Sequence, residues 1–283
     1  MCVPGCQRTI LSRLSRRALL KGAGGAGLAG LGAFAATLPA AAGGEGKGEI
    51  EPALAAGNRV QDLTHTLSPD FPTFFGTPGI EKEPLYSWSP DKFNAYMWHV
   101  LEHCGTHLDA PLHFTADGPA AADIPAASLV LPLSVIDIRD KAAANSDYQL
   151  TPDDVLAWEG VHGALPPRAC VAMYSGWEEH IGGNRYRNAD QEGLLHFPGF
   201  HPETADLLMS ERDAMAIAVD TLSLDAGIST GFDTHYKWLP SGRYGLESVA
   251  NLGAVPASGA TLIVGAPKVA GASGGPTRLL ALY

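Results

Sequence analysis

The sequence has little of three things: long apolar runs, basic charge and cysteine. Its 283 residues contain one long apolar stretch, at the N-terminus, so a polytopic membrane protein is excluded. Its 19 basic residues are outnumbered by 30 acidic ones, and a net charge of −11 repels phosphate backbones, so we expect no nucleic-acid partner. Four cysteines are too few for a disulfide framework. We interpret Cys104 and Cys170 as separate thiols, with pairing in an oxidising compartment left open.

The N-terminal stretch has the three parts of a bacterial twin-arginine export signal. Arg16 and Arg17 precede a Gly/Ala/Leu run over residues 22–38, and an alanine-rich cleavage site ends at Ala42. The run is rich in glycine and barely long enough to span a bilayer, which favours cleavage over a retained anchor. We therefore predict a signal peptide over residues 1–42 and a periplasmic or secreted chain with no stable membrane span. Cleavage would remove five basic residues and no acidic ones, which leaves a net charge of −16.

Beyond a flexible lead-in over residues 43–57, the pattern predicts one compact mixed α/β domain over residues 58–283. A helix should begin after Thr151, which is a hydroxyl cap followed by proline and two acids. Further helices are predicted over residues 202–209 and around 246–251. The long irregular stretch over residues 176–199 is typical of a segment that builds a binding site. Strands are predicted at residues 59–64, 96–101, 129–138, 170–174, 215–219, 261–264 and 277–282.

Three histidines and an aspartate lie within eleven positions of each other. His103, His107, Asp109 and His113 are separated by even numbers of residues, so extended backbone would project all four to one side. Gly105 has the same parity and leaves room where these side chains converge. Imidazole and carboxylate groups are typical ligands of Zn²⁺ or a similar divalent ion in a catalytic site. The segment therefore predicts a metal site.

The spacing excludes one familiar metal motif. The H-x-H-x-D-H pattern of metallo-β-lactamase-like hydrolases would need ligands at Gly105 and Ala110, which have none to offer.

The segment from His103 to Phe114 resembles the signature of the metal-dependent cyclase family of hydrolases, which includes bacterial kynurenine formamidases and isatin hydrolases. Pro72 to Gly76 stands where the formamidases have a Pro-Val-Trp-Pro-Gly run. Later blocks match in the same order, so the resemblance spreads across nearly the whole mature chain: Ser175 to Trp177, Phe197 to Gly199, Val219 to Asp225, and Glu247 to Leu252.

The resemblance implies a set of site residues. His103, His107 and Asp109 would bind a first metal ion, and His235 and Glu247 would bind a second, with Asp109 and Glu247 shared between the ions. It also implies one or two ions of Zn or Mn per chain, His113 as the acid/base residue, and Phe74 in the place of a substrate-contacting tryptophan. The implied fold is the swivelling β/β/α type, assembled as a homodimer or a higher homo-oligomer.

We therefore predict a metal-dependent hydrolase that cleaves the amide, lactam or ester carbonyl of a small molecule, in the manner of an arylformamidase or isatin hydrolase. Two alternatives remain open: a dehydratase or cyclase acting on a carbonyl compound, and an exported metal-binding or small-molecule-binding protein without catalysis. Two sets of residues have competing interpretations. The first set has polar side chains that could orient the ligand imidazoles or could simply belong to a turn: Asp220, Thr221, Ser223 and Asp225. Aromatic residues that could line a pocket or the core are Phe74, Phe75, Trp88, Tyr96 and Trp98.

Overall fold

The structure is a computed structural model that describes residues 59–283. The predicted signal peptide and lead-in lie outside the described residues. No helix within residues 59–283 is long and apolar enough to cross a bilayer. The α-helices are α1 (Trp88–Asp91), α2 (Arg139–Ala144), α3 (Pro152–His162), α4 (Pro202–Ser210) and α5 (Asp233–Trp238). The strands are β1 (Val60–Asp62), β2 (Ile80–Tyr86), β3 (Ala95–Val100), β4 (His107–Asp109), β5 (Val130–Asp137), β6 (Gln149–Leu150), β7 (Cys170–Tyr174), β8 (Gly199–Phe200), β9 (Ala216–Val219), β10 (Tyr244–Glu247), β11 (Ala260–Gly265), β12 (Gly274–Pro276) and β13 (Arg278–Leu282).

Nine strands form one mixed sheet in the order β1-β13-β11-β5-β7-β9-β10-β4-β12. Its centre is parallel, from β5 through β7 and β9 to β10, and antiparallel strands flank it on both sides. Two small sheets, β2 with β3 and β6 with β8, accompany it. The predicted class, a mixed α/β domain, is confirmed.

The central strands are buried on both faces. In β7 every residue is buried, and alternate side chains enter different apolar clusters, as parallel strands covered on both sides require. Cys170 and Ala172 belong to a cluster made mainly by strand residues, so the sheet curls over its own inner face. Val171 and Met173 pack with the helix residues Val155 and Trp238 in the outer cluster.

The seven predicted strands are confirmed to within two residues at each end. So are the two helices that a capping residue or a proline marks: Thr151 accepts from the backbone N–H of Asp154 at the start of α3, and Pro202 begins α4. The helix predicted around residues 246–251 is wrong. That segment completes β10 at Glu247 and then turns through positive φ angles at Ser248 and Asn251, because pairing with β9 and β4 outweighs the local pattern.

The hairpin formed by β2 and β3 (residues 80–100) is exposed on both faces. Trp88, Tyr96 and Trp98 are 63%, 44% and 65% exposed, so they line neither a pocket nor the core.

The irregular segment over residues 176–199 differs from the hairpin in its burial, because its Trp177 and Tyr186 are buried in a small third cluster. That cluster packs against Phe74.

Candidate metal centre

Strands β4 and β10 form the floor of the centre. His107 and Asp109 are two residues apart in β4 and therefore project to the same face. Strand β10 runs antiparallel to β4 and places Glu247 directly opposite His107. All three side chains are buried. Strand pairing thus brings the Glu247 carboxylate to Asp109, which lies 138 residues earlier in the chain.

The extended backbone predicted over residues 103–113 is present only in β4. Gly105 turns the chain at a φ of +63°, which brings His103 back toward the strand. Pro111 begins the short 3-10 turn Pro111–Phe114, and this turn carries His113. The side chains converge as expected, through a turn, a strand and a 3-10 turn in place of one continuous strand.

Five side chains meet in two overlapping groups. His103, His107 and Asp109 form one group, and Asp109, His235 and Glu247 form the other, with the donor atoms of each group within 4.8 Å of one another. His107 Nε2 lies 3.3 Å from Asp109 Oδ1 and 3.3 Å from Glu247 Oε2. His235 Nε2 lies 3.5 Å from Asp109 Oδ2 and 3.2 Å from Glu247 Oε1. Each carboxylate therefore faces both groups.

Outer hydrogen bonds orient two of the imidazoles. His107 Nδ1 lies 2.8 Å from the carbonyl oxygen of Gly105, and His235 Nδ1 lies 2.5 Å from Asp225 Oδ2. When the ring is neutral and Nδ1–H donates to this outer acceptor, Nε2 is left with a lone pair that faces the centre. Glu247 Oε1 accepts from the backbone N–H of Leu224 at 2.9 Å.

Only Asp225, among the four candidate orienting residues, contacts a histidine of the centre. Asp220 accepts hydrogen bonds from the backbone N–H groups of Ser175 and Trp177 and so fixes the turn between them. Ser223 accepts from the backbone N–H of Asp225, and Thr221 bonds within the same turn.

Two effects determine the pKa values of the cluster: burial of the groups, and the charges that lie close to them. Burial lowers the pKa of His107, but the close Asp109 and Glu247 carboxylates outweigh it and hold that pKa well above the usual range. Burial raises the pKa of Asp109, and the three surrounding imidazoles outweigh it and hold that pKa well below its usual range. Asp109 is therefore a carboxylate, and its oxygens are available as ligands.

The donor set fits a divalent metal ion. His107 Nε2 and Asp109 Oδ2 are buried atoms without a hydrogen-bond partner among the described residues. Such atoms are costly unless something binds them. Imidazole nitrogens and carboxylate oxygens, gathered from several elements, are the ligands that Zn²⁺ and Mn²⁺ take in catalytic sites.

An apolar cavity of about 340 Å³ opens onto this cluster. Phe74 lines it, as the resemblance implies, and His113 lies where the cavity meets the cluster. The apolar wall also includes Phe75, one of the aromatic candidates from the sequence, and three residues without a predicted role: Phe114, Leu222 and Phe232. Phe114 adjoins the motif and could have been suspected, but no pattern in the sequence marks Leu222 or Phe232.

Three other residues of the irregular region have structural roles. His196 pairs with Asp147 at 2.9 Å, and His201 caps α4 by accepting from the backbone N–H of Glu203. Tyr186 donates from its buried hydroxyl to the carbonyl oxygen of Asp220. Cys104 lines the cavity, and both it and Cys170 are free thiols, as interpreted from the sequence.

Comparison with known proteins gives a consistent result. The family model described as "Putative cyclase" matches residues 61–226. An isatin hydrolase of Roseibium aggregatum is 35% identical over 228 residues, which cover 76% of this chain and 85% of that protein. The structure of isatin hydrolase A from Labrenzia aggregata bound to benzyl benzoate superposes with a TM-score of 0.75 at 36% identity, over 80% of this chain and 93% of that one. An isatin hydrolase bound to the product analogue thioisatinate superposes with a TM-score of 0.75 at 31% identity, over 80% and 92% of the two chains.

Proposed function

The chain belongs to the cyclase family, and from this premise we propose that it is a metal-dependent hydrolase that opens a cyclic amide fused to an aromatic ring. The observation that carries the proposal is the position of His113, which lies between an apolar cavity and a buried cluster that shares Asp109 between two groups of donors. The isatin hydrolases that it resembles act, by their names, on such a lactam.

In this proposal His103, His107 and Asp109 hold the first ion. Asp109, His235 and Glu247 hold the second where a second is bound. A divalent ion, Zn or Mn, supplies Lewis acidity when bound: it lowers the pKa of water and polarises a carbonyl oxygen. The chain's own contribution is a rigid, buried donor set whose histidines are oriented before the ion arrives.

His113 is the proton carrier. Burial lowers its pKa to about 4, with the neighbouring His103 and His235 adding to this and the Asp109 carboxylate opposing it. Its imidazole is therefore neutral near pH 7 and can accept a proton. Its ring stacks on that of His103, with centroids 3.7 Å apart and an angle of 18° between the planes, which fixes its position beside the centre.

Hydrolysis then needs one proton transfer in each direction. His113 takes a proton from the attacking water while the water oxygen bonds to the carbonyl carbon. The C–N bond then breaks, and the same imidazole returns the proton to the leaving nitrogen. The product is an amine and a carboxylic acid, which releases its proton to solvent, and His113 ends the cycle neutral. The aromatic ring of the substrate would lie against Phe74, Phe114 and Phe232, where the wall is apolar.

The proposal is tested with a panel of isatin-type lactams, formanilides, N-formylkynurenine and aryl esters, using protein stripped of metal and reloaded with Zn²⁺ or Mn²⁺. We expect metal-dependent opening of the lactam to be the fastest reaction. N-formylkynurenine should be a poor substrate, because Phe74 lacks the indole N–H of the formamidase tryptophan. Phe74→Trp should improve that reaction, whereas Phe93→Trp, at an exposed position outside the cavity, should not.

Two results would contradict the proposal. A preference of the wild type for N-formylkynurenine by orders of magnitude would favour a formamidase. No turnover of any panel member by metal-loaded protein would favour the binding protein without catalysis.

We also propose twin-arginine export to the periplasm or medium, supported by Arg16-Arg17 and the run that follows them. Replacing both arginines with lysine should retain the precursor in the cytoplasm, and normal export of that variant would contradict the route.

A further inference from the structure

His103 is oriented differently from the other two histidines of the centre. Its Nδ1 faces the centre, 2.6 Å from Asp109 Oδ1, whereas His107 and His235 present Nε2. Its Nε2 points away and lies 2.9 Å from the hydroxyl of Ser273. That hydroxyl in turn lies 2.5 Å from Glu102 Oε2.

The direction of this chain of hydrogen bonds follows from its last member. A carboxylate only accepts, so the Ser273 hydroxyl donates its one proton to Glu102. The same oxygen must then accept from His103, which places a proton on Nε2. The lone pair of the neutral ring is therefore at Nδ1, where it faces Asp109. In this tautomer Nδ1 offers its lone pair on the side of Asp109, as a metal ligand of the first group must.

Backbone contacts hold Ser273 and Glu102 in place. Ser273 also donates its backbone N–H to Glu102 Oε2 at 3.2 Å, and its carbonyl oxygen accepts from the backbone N–H of Ala110. The next residue, Gly274, pairs with Asp109 through β12 and β4. A Cβ on Gly274 would lie 2.7 Å from His103 Cε1, so only glycine lets this strand approach the ring so closely.

We propose that Ser273 and Glu102 are positioning residues that hold His103 with Nδ1 toward Asp109 and thereby set the affinity of the first metal ion. The inference rests on the proposed function, because it takes His103 as a ligand. Neither residue stands in the sequence motif, and Ser273 is 170 positions from the histidine that it orients.

The test is the affinity for the first equivalent of Zn²⁺, measured by competition with a chromophoric chelator. Ser273→Ala should weaken binding by about 10- to 100-fold, the usual effect of removing an outer hydrogen bond to a ligand. Ser273→Thr keeps the hydroxyl and should restore affinity to within about threefold of the wild type. Glu102→Ala should weaken binding in the same direction as Ser273→Ala. A suitable control is Ser134→Ala, because Ser134 is buried in β5 and its hydroxyl has no partner among the described residues.

Urea unfolding of the metal-free variants separates positioning from folding, since the apo proteins should unfold at similar concentrations. Affinity within twofold of the wild type in Ser273→Ala, while His103→Ala loses binding, would overturn the positioning role and leave the proposed function intact. An equal loss in Ser273→Thr and Ser273→Ala would overturn it as well. Unchanged affinity in His103→Ala would overturn both proposals.

Discussion

At the scale of single residues, Asp109 determines what the centre can be. Its two oxygens face different groups of donors, and it is completely buried among three imidazoles. A buried carboxylate in that environment stays charged and requires a cation. His113 differs, since it stacks beside the donors and belongs to neither group. The proposed metal ligands of this segment and the proposed acid/base residue are therefore different side chains.

His113→Ala tests that separation. The variant should keep its metal and its fold, because His113 belongs to neither donor group. Turnover should fall about 10²-fold or more, the usual contribution of a general acid–base residue. Metal analysis and steady-state kinetics on the same preparation measure both quantities. Loss of metal in the variant would mark His113 as a ligand, and a near wild-type rate would remove it from the mechanism.

Sequence reasoning at this scale succeeded where the ligands are close together. His103, His107 and Asp109 were predicted from their spacing, and the structure brings them together. His235 and Glu247 were assigned by family resemblance alone, because nothing near them in the sequence indicates a site. Glu102 and Ser273 were missed, because a contact across 171 positions leaves no local pattern.

At the scale of elements, the pairing of β4 with β10 is what assembles the site. These strands are short, and neither has the length of a typical strand. Local patterns predicted seven strands and the two helices that a cap or a proline marks, but they predicted neither β4 nor β10. They misassigned the segment around Glu247, whose conformation depends on two neighbouring strands.

The cap of α3 gives a prediction that is confined to one element. Thr151 accepts from the backbone N–H of Asp154, and the Asp154 carboxylate accepts from the backbone N–H of Thr151. Thr151→Ala removes one half of this capping box and should lower the free energy of unfolding by about 1 kcal/mol. Chemical denaturation measures the loss. Because α3 provides no donor, metal content should not change, and a change would show coupling between the helix and the centre.

The contact between His196 and Asp147 gives a prediction about pH. The hydrogen bond that His196 donates to the Asp147 carboxylate raises the pKa of His196 above its ordinary value. A raised folded-state pKa stabilises the fold fully below the unfolded pKa of about 6.5, and the stabilisation disappears as pH rises through the folded value. His196→Gln should therefore lower stability at about pH 5.5, by less than about 1 kcal/mol for a contact this exposed, and leave it unchanged at about pH 9. Denaturation at the two pH values tests this, and an equal loss at both would contradict it.

At the scale of the whole molecule, the exposed hairpin of β2 and β3 is the main apolar surface without a visible partner among the described residues. One face carries Tyr96, Trp98 and Val100, whereas the other carries Glu81 and Glu83. An isolated two-stranded hairpin is only marginally stable in water. The homo-oligomer implied by the family resemblance would cover this apolar face, and we expect a second copy of the chain there.

Trp98→Lys tests this expectation. The wild type should form a homodimer or larger assembly in light scattering coupled to size exclusion, and the variant should shift toward monomer because a charge replaces a large apolar contact. Glu83→Lys introduces a lysine on the opposite face of the same hairpin and should leave the assembly intact. The same mass for the wild type and both variants would show that this face is not an interface.

The most direct test of the central claim is the metal content of purified protein, compared between the wild type and His107→Ala. His107 contacts both shared carboxylates and is 3% exposed, so its loss should empty the first group of donors. We predict one or two equivalents of divalent metal in the wild type, and a loss of at least one equivalent in a variant that still folds. Equal metal occupancy in the two proteins would contradict the claim that His103, His107 and Asp109 form the metal centre.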